Sequence, residues 1–234
     1  ANEKNFNFES SENTYNIATN LGTTKGILNI NGVQNGEQLS TINLNGKTGF
    51  GLDSKSTLNV SNTKLTGNEV VITNNGGSLT FKGTNTVDGK ITGTGNTTNA
   101  GILNINADNL DIAIDNNATL NLGNGSINQA LTGNGTTNIV GNVTNNTKIG
   151  NDIVITANNS FTSSVDTLTK TITNNGVFNT TGTLNKAIAG ANGVTNVNTT
   201  LTMRDGASIA GEMNMNGATI TMSGDNATTA YAVG

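Results

Sequence analysis

A short alternating core recurs along the chain and limits what it can fold into. It reads any residue, an apolar residue, Asn or Thr, a second apolar residue, any residue. Early copies are Asn5-Phe6-Asn7-Phe8-Glu9, Thr14-Tyr15-Asn16-Ile17-Ala18 and Ile27-Leu28-Asn29-Ile30-Asn31. It continues through Thr41 to Asn45, Thr57 to Ser61, Ser78 to Lys82, Ile102 to Asn106 and Thr119 to Gly123. Late copies are Thr200 to Arg204, Glu212 to Asn216 and Thr219 to Ser223. Alternation with period two is a strand signature, placing two apolar side chains inward and one Asn or Thr outward. Leu28, Leu58, Leu79, Leu103 and Leu120 share the first inward slot and are expected in the core. Gly or Asn usually follows, and both tolerate the backbone of a turn. No helical stripe exists, and Asn, Thr and Gly are poor helix formers.

A longer unit of strand, Asn-Asn corner and strand repeats as well. It runs from Val70 through Asn74-Asn75 to Phe81, and from Ile112 through Asn116-Asn117 to Leu122. It returns from Ile153 through Asn158-Asn159 to Phe161, and from Thr171 through Asn174-Asn175 to Phe178. Asn is the non-Gly residue that best accepts the left-handed conformation, so these pairs are expected to turn the chain that way. Stacked copies are expected to form Asn ladders. Recurrence of one unit points to an all-β, right-handed parallel β-helix, a β-solenoid. At roughly 20–24 residues per coil this gives about ten coils, in a stack of about 50 Å. The competing fold is an antiparallel sandwich or barrel, whose hairpins favour Asn-Gly, as at Asn31-Gly32, Asn45-Gly46, Asn75-Gly76 and Asn216-Gly217. The chain reads as one solenoid domain over 1–234, with 1–25 as an N-terminal edge coil and 200–234 as Met-containing C-terminal coils.

Composition narrows the chemistry. The sequence holds 45 Asn, 40 Thr and 30 Gly, and no Pro, Cys, His or Trp. Without His or Cys, a catalytic triad of the common kind, a zinc site of the usual ligands and an iron–sulfur cluster are all ruled out. The net charge of −4 and a single Arg, Arg204, argue against nucleic acid and an anionic membrane surface. No apolar run approaches the ~18 residues of a membrane-spanning helix. Ala1 to Ser10 lack the basic start and apolar stretch of a signal peptide. Asn-rich tracts are often disordered, but here apolar residues make up 33% and recur at short intervals, enough to build a core.

With these repeats in view, the chain resembles the parallel β-helix passenger region of bacterial autotransporters and related secreted adhesins. The resemblance spans about Ile27 to Ser223 and rests on the Gly-x-Leu-Asn-Ile-Asn and Asn-Asn-Ala-Thr-Leu-Asn-Leu-Gly style of repeat, absent Cys and scarce charge. Phage tail spikes and surface-layer proteins share the style. The chain departs from the family in showing no membrane-barrel translocator and no separate adhesive or protease domain. The family implies surface display with adhesion or self-association, and no single residue carries over.

Each candidate site has a structural explanation beside it. Asp111 and Asp115 are expected to face outward from one strand, about 13 Å apart, beyond the ~5–9.5 Å of a glycosidase pair. With Asp108 they read as a solvated face. Asp225 stands alone, so calcium is not expected. Arg204-Asp205-Gly206 reads as a turn with a local ion pair. Thr167, Thr169, Thr171 and Thr173 alternate on one expected face, as strand propensity explains. Phe6, Phe8 and Phe81 fall in inward slots. Met203, Met213, Met215 and Met222, all but one in such slots, are expected to form a soft packing layer.

The expected function is a non-catalytic extracellular structural or adhesive protein, a stalk or passenger at the bacterial cell surface. The alternative is a self-assembling subunit of a filament, sheath or surface layer, and a remote one is a glycan-active enzyme of tail-spike type. No catalytic residue, metal or cofactor is expected. Expected partners are a second copy or a neighbouring domain at the solenoid ends, and a host or matrix glycan or protein. No nucleic acid and no membrane insertion are expected. No polar helical cap is evident at either terminus, and strand alternation reaches Phe6 and Phe8 at one end and Tyr231 and Val233 at the other. These four residues are the candidates for self-association.

Overall fold

Alternate burial organises the molecule. In Ile102–Asn106, Leu103 and Ile105 are buried, and in Thr119–Gly123 Leu120 and Leu122 are. The two strands lie parallel and in register, Leu103 on Leu120 and Ile105 on Leu122. The computed structural model describes residues 3–19, 22–67 and 69–224, and these form parallel sheets stacked as a β-solenoid of about 10 turns. Three ladders of strands make up its faces. One contains Thr84–Val87, Ile102–Asn106, Thr119–Gly123, Thr136–Ile139 and Asp152–Ile155 in unbroken succession.

The antiparallel alternative is overturned. Among the described residues the one antiparallel pair is Gln34–Asn35 with Gln38–Asn43, closed at Gly36, which has φ 59°. None of the four Asn-Gly steps named above closes a hairpin. Parallel neighbours must be a whole coil apart in sequence, so the chain passes through corners where hairpins would have been.

The coils are tighter than the 20–24 residues expected in the middle and longer at the start. Asn104, Asn121 and Asn138 follow one another at separations of 17 residues. Asn5 and Asn29 are 24 apart, and Asn29 and Asn59 are 30 apart. The early excess sits in the Gln34–Asn43 hairpin and in the long strand Phe50–Ser61. That strand forks its sheet into two arms: its first part pairs with Val70–Asn74 and its second with Ser78–Lys82. Between the parts, Asp53 Oδ1 accepts from the Lys55 backbone N–H at 3.0 Å and the Ser56 hydroxyl at 2.8 Å, which holds the bend.

A continuous apolar core runs from Phe8 to Ala207. Leu58, Leu79, Leu103 and Leu120 are fully buried, and Leu28 is partly buried against the core. Each such side chain contributes about 1.5–3 kcal/mol relative to exposure. Phe161 and Phe178 stack with centroids 5.8 Å apart. The methionine layer is graded: Met203 is buried and its register partner Met222 is exposed, while Met213 is half-buried and Met215 exposed. The expected soft layer therefore reaches the core fully only at Met203.

Two local expectations are corrected. Of the Asn-Asn corners, only Asn158 takes a positive φ, 65°. Asn74, Asn116 and Asn174 turn inward instead and are fully buried. Their carboxamides replace backbone partners lost at the corner: Asn116 Nδ2 donates to the Thr136 carbonyl at 3.0 Å, and Asn174 Nδ2 to that of Val194 at 3.0 Å. The threonine run is not one strand. Thr167 ends a short 3-10 turn and donates to the Ser164 carbonyl at 2.8 Å, Thr169 donates to the Ile149 carbonyl at 3.1 Å, and the strand Ile172–Asn174 begins only afterwards. Hydroxyl-to-backbone bonding wins there over strand propensity.

Candidate functional site: the N-terminal mouth

The first coil offers strand edges and an apolar opening together. Strand Glu3–Asn7 pairs with Thr23–Asn31, and strand Thr14–Asn16 pairs with Gln38–Asn43, each on one side alone among the described residues. Register places Phe6 on Ile30 and Tyr15 on Ile42, so both rings belong to inward columns. Ile30 and Ile42 are buried, whereas Phe6 is half-buried and Tyr15 is 52% exposed. The same slot thus changes from core to surface because no described coil covers it.

Phe6, Phe8 and Tyr15 form an aromatic group. Phe6 meets Phe8 edge-on with centroids 5.0 Å apart, and Tyr15 edge-on at 4.7 Å. Such pairs contribute about 0.5–1.5 kcal/mol beyond their buried area. Below them lies a cavity of about 260 Å³ whose walls include Phe6, Tyr15, Ile17, Leu28 and Ile42. Its lining is almost wholly apolar, an arrangement suited to receiving apolar side chains. Sequence reasoning named Phe6 and Phe8, and the structure brings them together. Tyr231 and Val233 lie outside the described residues. Tyr15 was missed as a surface group, although it occupies the inward slot of the second strand core.

The other candidates lie apart from this mouth. Asp111 and Asp115 are exposed as expected, but they are not on one strand. Leu110–Asp111 pairs with Lys90–Gly93, and Ile114–Asn116 pairs with Asn96–Asn99, on the two arms of one sheet that fork at Phe50–Ser61. The chain bends at Ile112 between them. Asp111 accepts from Gln129 at 3.2 Å, Asp115 from Asn117 at 2.7 Å and Asp108 from the Ser126 backbone N–H at 2.8 Å. Each carboxylate is thus engaged in holding a neighbouring segment. Arg204 and Ala207 close a turn by a backbone bond of 2.9 Å, with Gly206 at φ 81°. Asp225 lies outside the described residues. Among those residues no group of His, Cys, Asp and Glu is placed to hold a metal ion, and no helix is long and apolar enough to cross a membrane.

One groove with charged residues at its border was not foreseen. It has a volume of about 750 Å³ and is bordered by Asp152, Asp166, Lys170, Thr171 and Lys186. Its lysines are spent on backbone: Lys170 donates to the Gly133 carbonyl at 2.9 Å, and Lys186 to that of Leu168. Burial lowers the Lys186 pKa from its ordinary value. Lys170 thus ties down the turn after strand Leu131–Thr132, and Lys186 the residue after the 3-10 turn Val165–Thr167, a role that sequence spacing does not signal.

Comparison with protein-family models, curated proteins and solved structures finds no match for the chain. What defines it is therefore its architecture, a parallel β-solenoid with an apolar N-terminal mouth.

Proposed function

We propose that this chain is a non-catalytic structural and adhesive rod at the bacterial cell surface, a stalk or passenger segment of autotransporter-like kind. The observation that carries this reading is the unbroken core from Phe8 to Ala207. A solenoid in which every coil packs on the next resists bending and holds a roughly constant section, which suits a spacer. With strands ~4.8 Å apart, ten turns span about 50 Å. The outer faces present uncharged amide and hydroxyl groups in regular rows, such as Asn104, Asn121 and Asn138. Such rows match the hydroxyl-rich surface of a glycan or the backbone of a matrix protein.

Display of the chain on a non-adherent bacterium tests the reading. The displaying cells should be retained on surfaces coated with host glycans or matrix proteins, with no new reducing ends released from the glycan. Failure of retention on every such coating, or turnover of the glycan, overturns it.

A further inference from the structure

Nine Asn-Gly steps occur in the chain, and they hold a chemistry of their own. The backbone nitrogen of such a Gly can attack the side-chain carbonyl carbon of the Asn before it, and a residue without Cβ leaves that approach unobstructed. Two conditions govern the attack. The Gly N–H must be free, since a nitrogen held on an acceptor has to break that bond first. The Asn carboxamide must be free to swing onto it.

Six steps fail one or both conditions. At four of them the Gly N–H is bonded: Gly32 to the Ser61 carbonyl at 2.7 Å, Gly46 to that of Gly67 at 2.7 Å, Gly135 to that of Asn116 at 2.8 Å, and Gly176 to Asn174 Oδ1 at 3.1 Å. Two of the same steps have the carboxamide held as well, since Asn31 donates to Asn7 at 2.8 Å and Asn134 accepts from Lys170 at 2.9 Å. At the fifth step, Asn124 Oδ1 accepts from the Asn142 backbone N–H at 2.8 Å. At the sixth, Gly193 is buried against Asn174, and its N–H reaches the Gly190 carbonyl at 3.4 Å.

Asn35-Gly36, Asn75-Gly76 and Asn216-Gly217 are under none of these restraints. Both residues of each step are exposed. No described residue accepts from the N–H of Gly36, Gly76 or Gly217, and none bonds the carboxamide of Asn35, Asn75 or Asn216. Space agrees with bonding. Nothing lies within 4 Å of where a Cβ would stand on Gly36 or Gly217, and the closest atom at Gly76 is 3.8 Å away. At Gly32, Gly135, Gly176 and Gly193 the same position meets the backbone of another segment. The three open steps sit at the tip of the Gln34–Asn43 hairpin, at the corner between Val70–Asn74 and Ser78–Lys82, and in the turn that the Ala218 N–H closes on the Met215 carbonyl.

We propose that Asn35, Asn75 and Asn216 are sites of spontaneous deamidation in the folded chain, with water as co-reactant, and that the fold protects the other six steps. The Gly nitrogen gives up its proton and bonds to Asn Cγ. The Cγ–Nδ2 bond breaks, and the amide leaves as ammonia with that proton, closing a five-membered succinimide. Water then opens the ring at either carbonyl. Opening at Cγ leaves Asp on the ordinary backbone, whereas opening at the main-chain carbonyl leaves isoaspartate, with the chain running through the former side chain. No atom changes oxidation state. Each event adds one negative charge to a chain whose net charge is already −4. The reaction needs no partner and proceeds whether or not the rod adheres to anything.

Incubation of the folded full chain at mildly alkaline pH, below its unfolding temperature, tests the proposal beside a sample kept unfolded in guanidinium chloride. Peptide mapping by mass spectrometry follows all nine steps, and enzymatic methylation of isoaspartate counts the rearranged product. In the folded sample Asn35, Asn75 and Asn216 should convert about tenfold faster than any of the other six. In the unfolded sample all nine should convert at similar rates, since the fold alone tells them apart. Asn35→Gln, Asn75→Gln and Asn216→Gln combined, all at exposed positions, should remove the gain of negative charge that ion exchange detects over the same period. Equal conversion of all nine steps in the folded sample overturns the proposal. So does conversion of a protected step ahead of the three, or survival of the three in the folded sample while the unfolded one reacts.

Discussion

Asparagine performs two opposed tasks in this chain, and burial separates them. At the corners its carboxamide enters the core and must satisfy itself there. Asn116 does so fully: its oxygen accepts from buried Asn99 at 2.8 Å and its nitrogen donates to the Thr136 carbonyl at 3.0 Å. Asn74 does so by half, since its nitrogen donates to the Asn96 carbonyl at 3.1 Å while its buried oxygen has no partner. A buried acceptor without a donor carries its desolvation cost uncompensated. Truncation at the two corners should therefore differ. Asn116→Ala strands the Thr136 carbonyl and removes one acceptor of Asn99, a loss of about 2–4 kcal/mol. Asn74→Ala also discards an unpaired oxygen, so its cost should be smaller by about 1 kcal/mol. Urea midpoints of the two variants check this, and a costlier Asn74→Ala would contradict the assignment of roles.

At the scale of the element, the repeating piece is a strand, a corner and a strand, tied to the coils above and below by backbone and side chain alike. Asn121 sits mid-ladder, donating to Asn104 and accepting from Asn138. Asn121→Asp keeps the acceptor but sets two oxygens against each other at Asn104. Asn121→Thr keeps a hydroxyl that serves in either sense, as Thr162 does in accepting from Asn179 at 3.2 Å. Asp should cost about 1–2 kcal/mol and Thr less than 1, read by thermal unfolding, and equal losses would show that ladder direction carries no energy. These strands were legible in the sequence because burial on one face writes itself as alternation, as in Leu103-Asn104-Ile105. Corners were legible in position but not in mechanism. Asn tolerates a left-handed backbone and also buries as a hydrogen-bonding plug, and only the packing around Asn74, Asn116 and Asn174 selects the second. Phe6 and Phe8 carried the signal of the mouth. The exposure of Tyr15 did not, because sequence identifies an inward slot without showing whether a coil lies above it. Separation of Asp111 from Asp115 was hidden for a related reason: the corner at Ile112-Ala113 has no Gly or Asn to announce it.

On the scale of the whole molecule, each coil contacts mainly its neighbours, so stability is close to a sum of coil and junction contributions. The period of the core then sets which changes of length the fold tolerates. Ile102–Asn106 stacks on Thr84–Val87 from one side, and Thr119–Gly123 stacks on it from the other. Register puts Leu120 directly over Leu103, Asn121 over Asn104 and Leu122 over Ile105. Removal of residues 102–118, one full period as measured by the separation of 17 between Asn104 and Asn121, would seat Thr119–Gly123 on Thr84–Val87 with the same inward and outward pattern. The shortened chain should fold as a solenoid one coil shorter and keep the strand spectrum. Its unfolding midpoint should fall modestly, since one coil and one junction are lost while every remaining junction has an equivalent. Removal of about half a period instead sets one ladder against another and turns apolar columns toward water, as a register slip does in any half-buried sheet. That second deletion should give insoluble or unfolded protein. Circular dichroism and sedimentation of the two deletions decide the matter: equal behaviour of both would show that the coils are not interchangeable units.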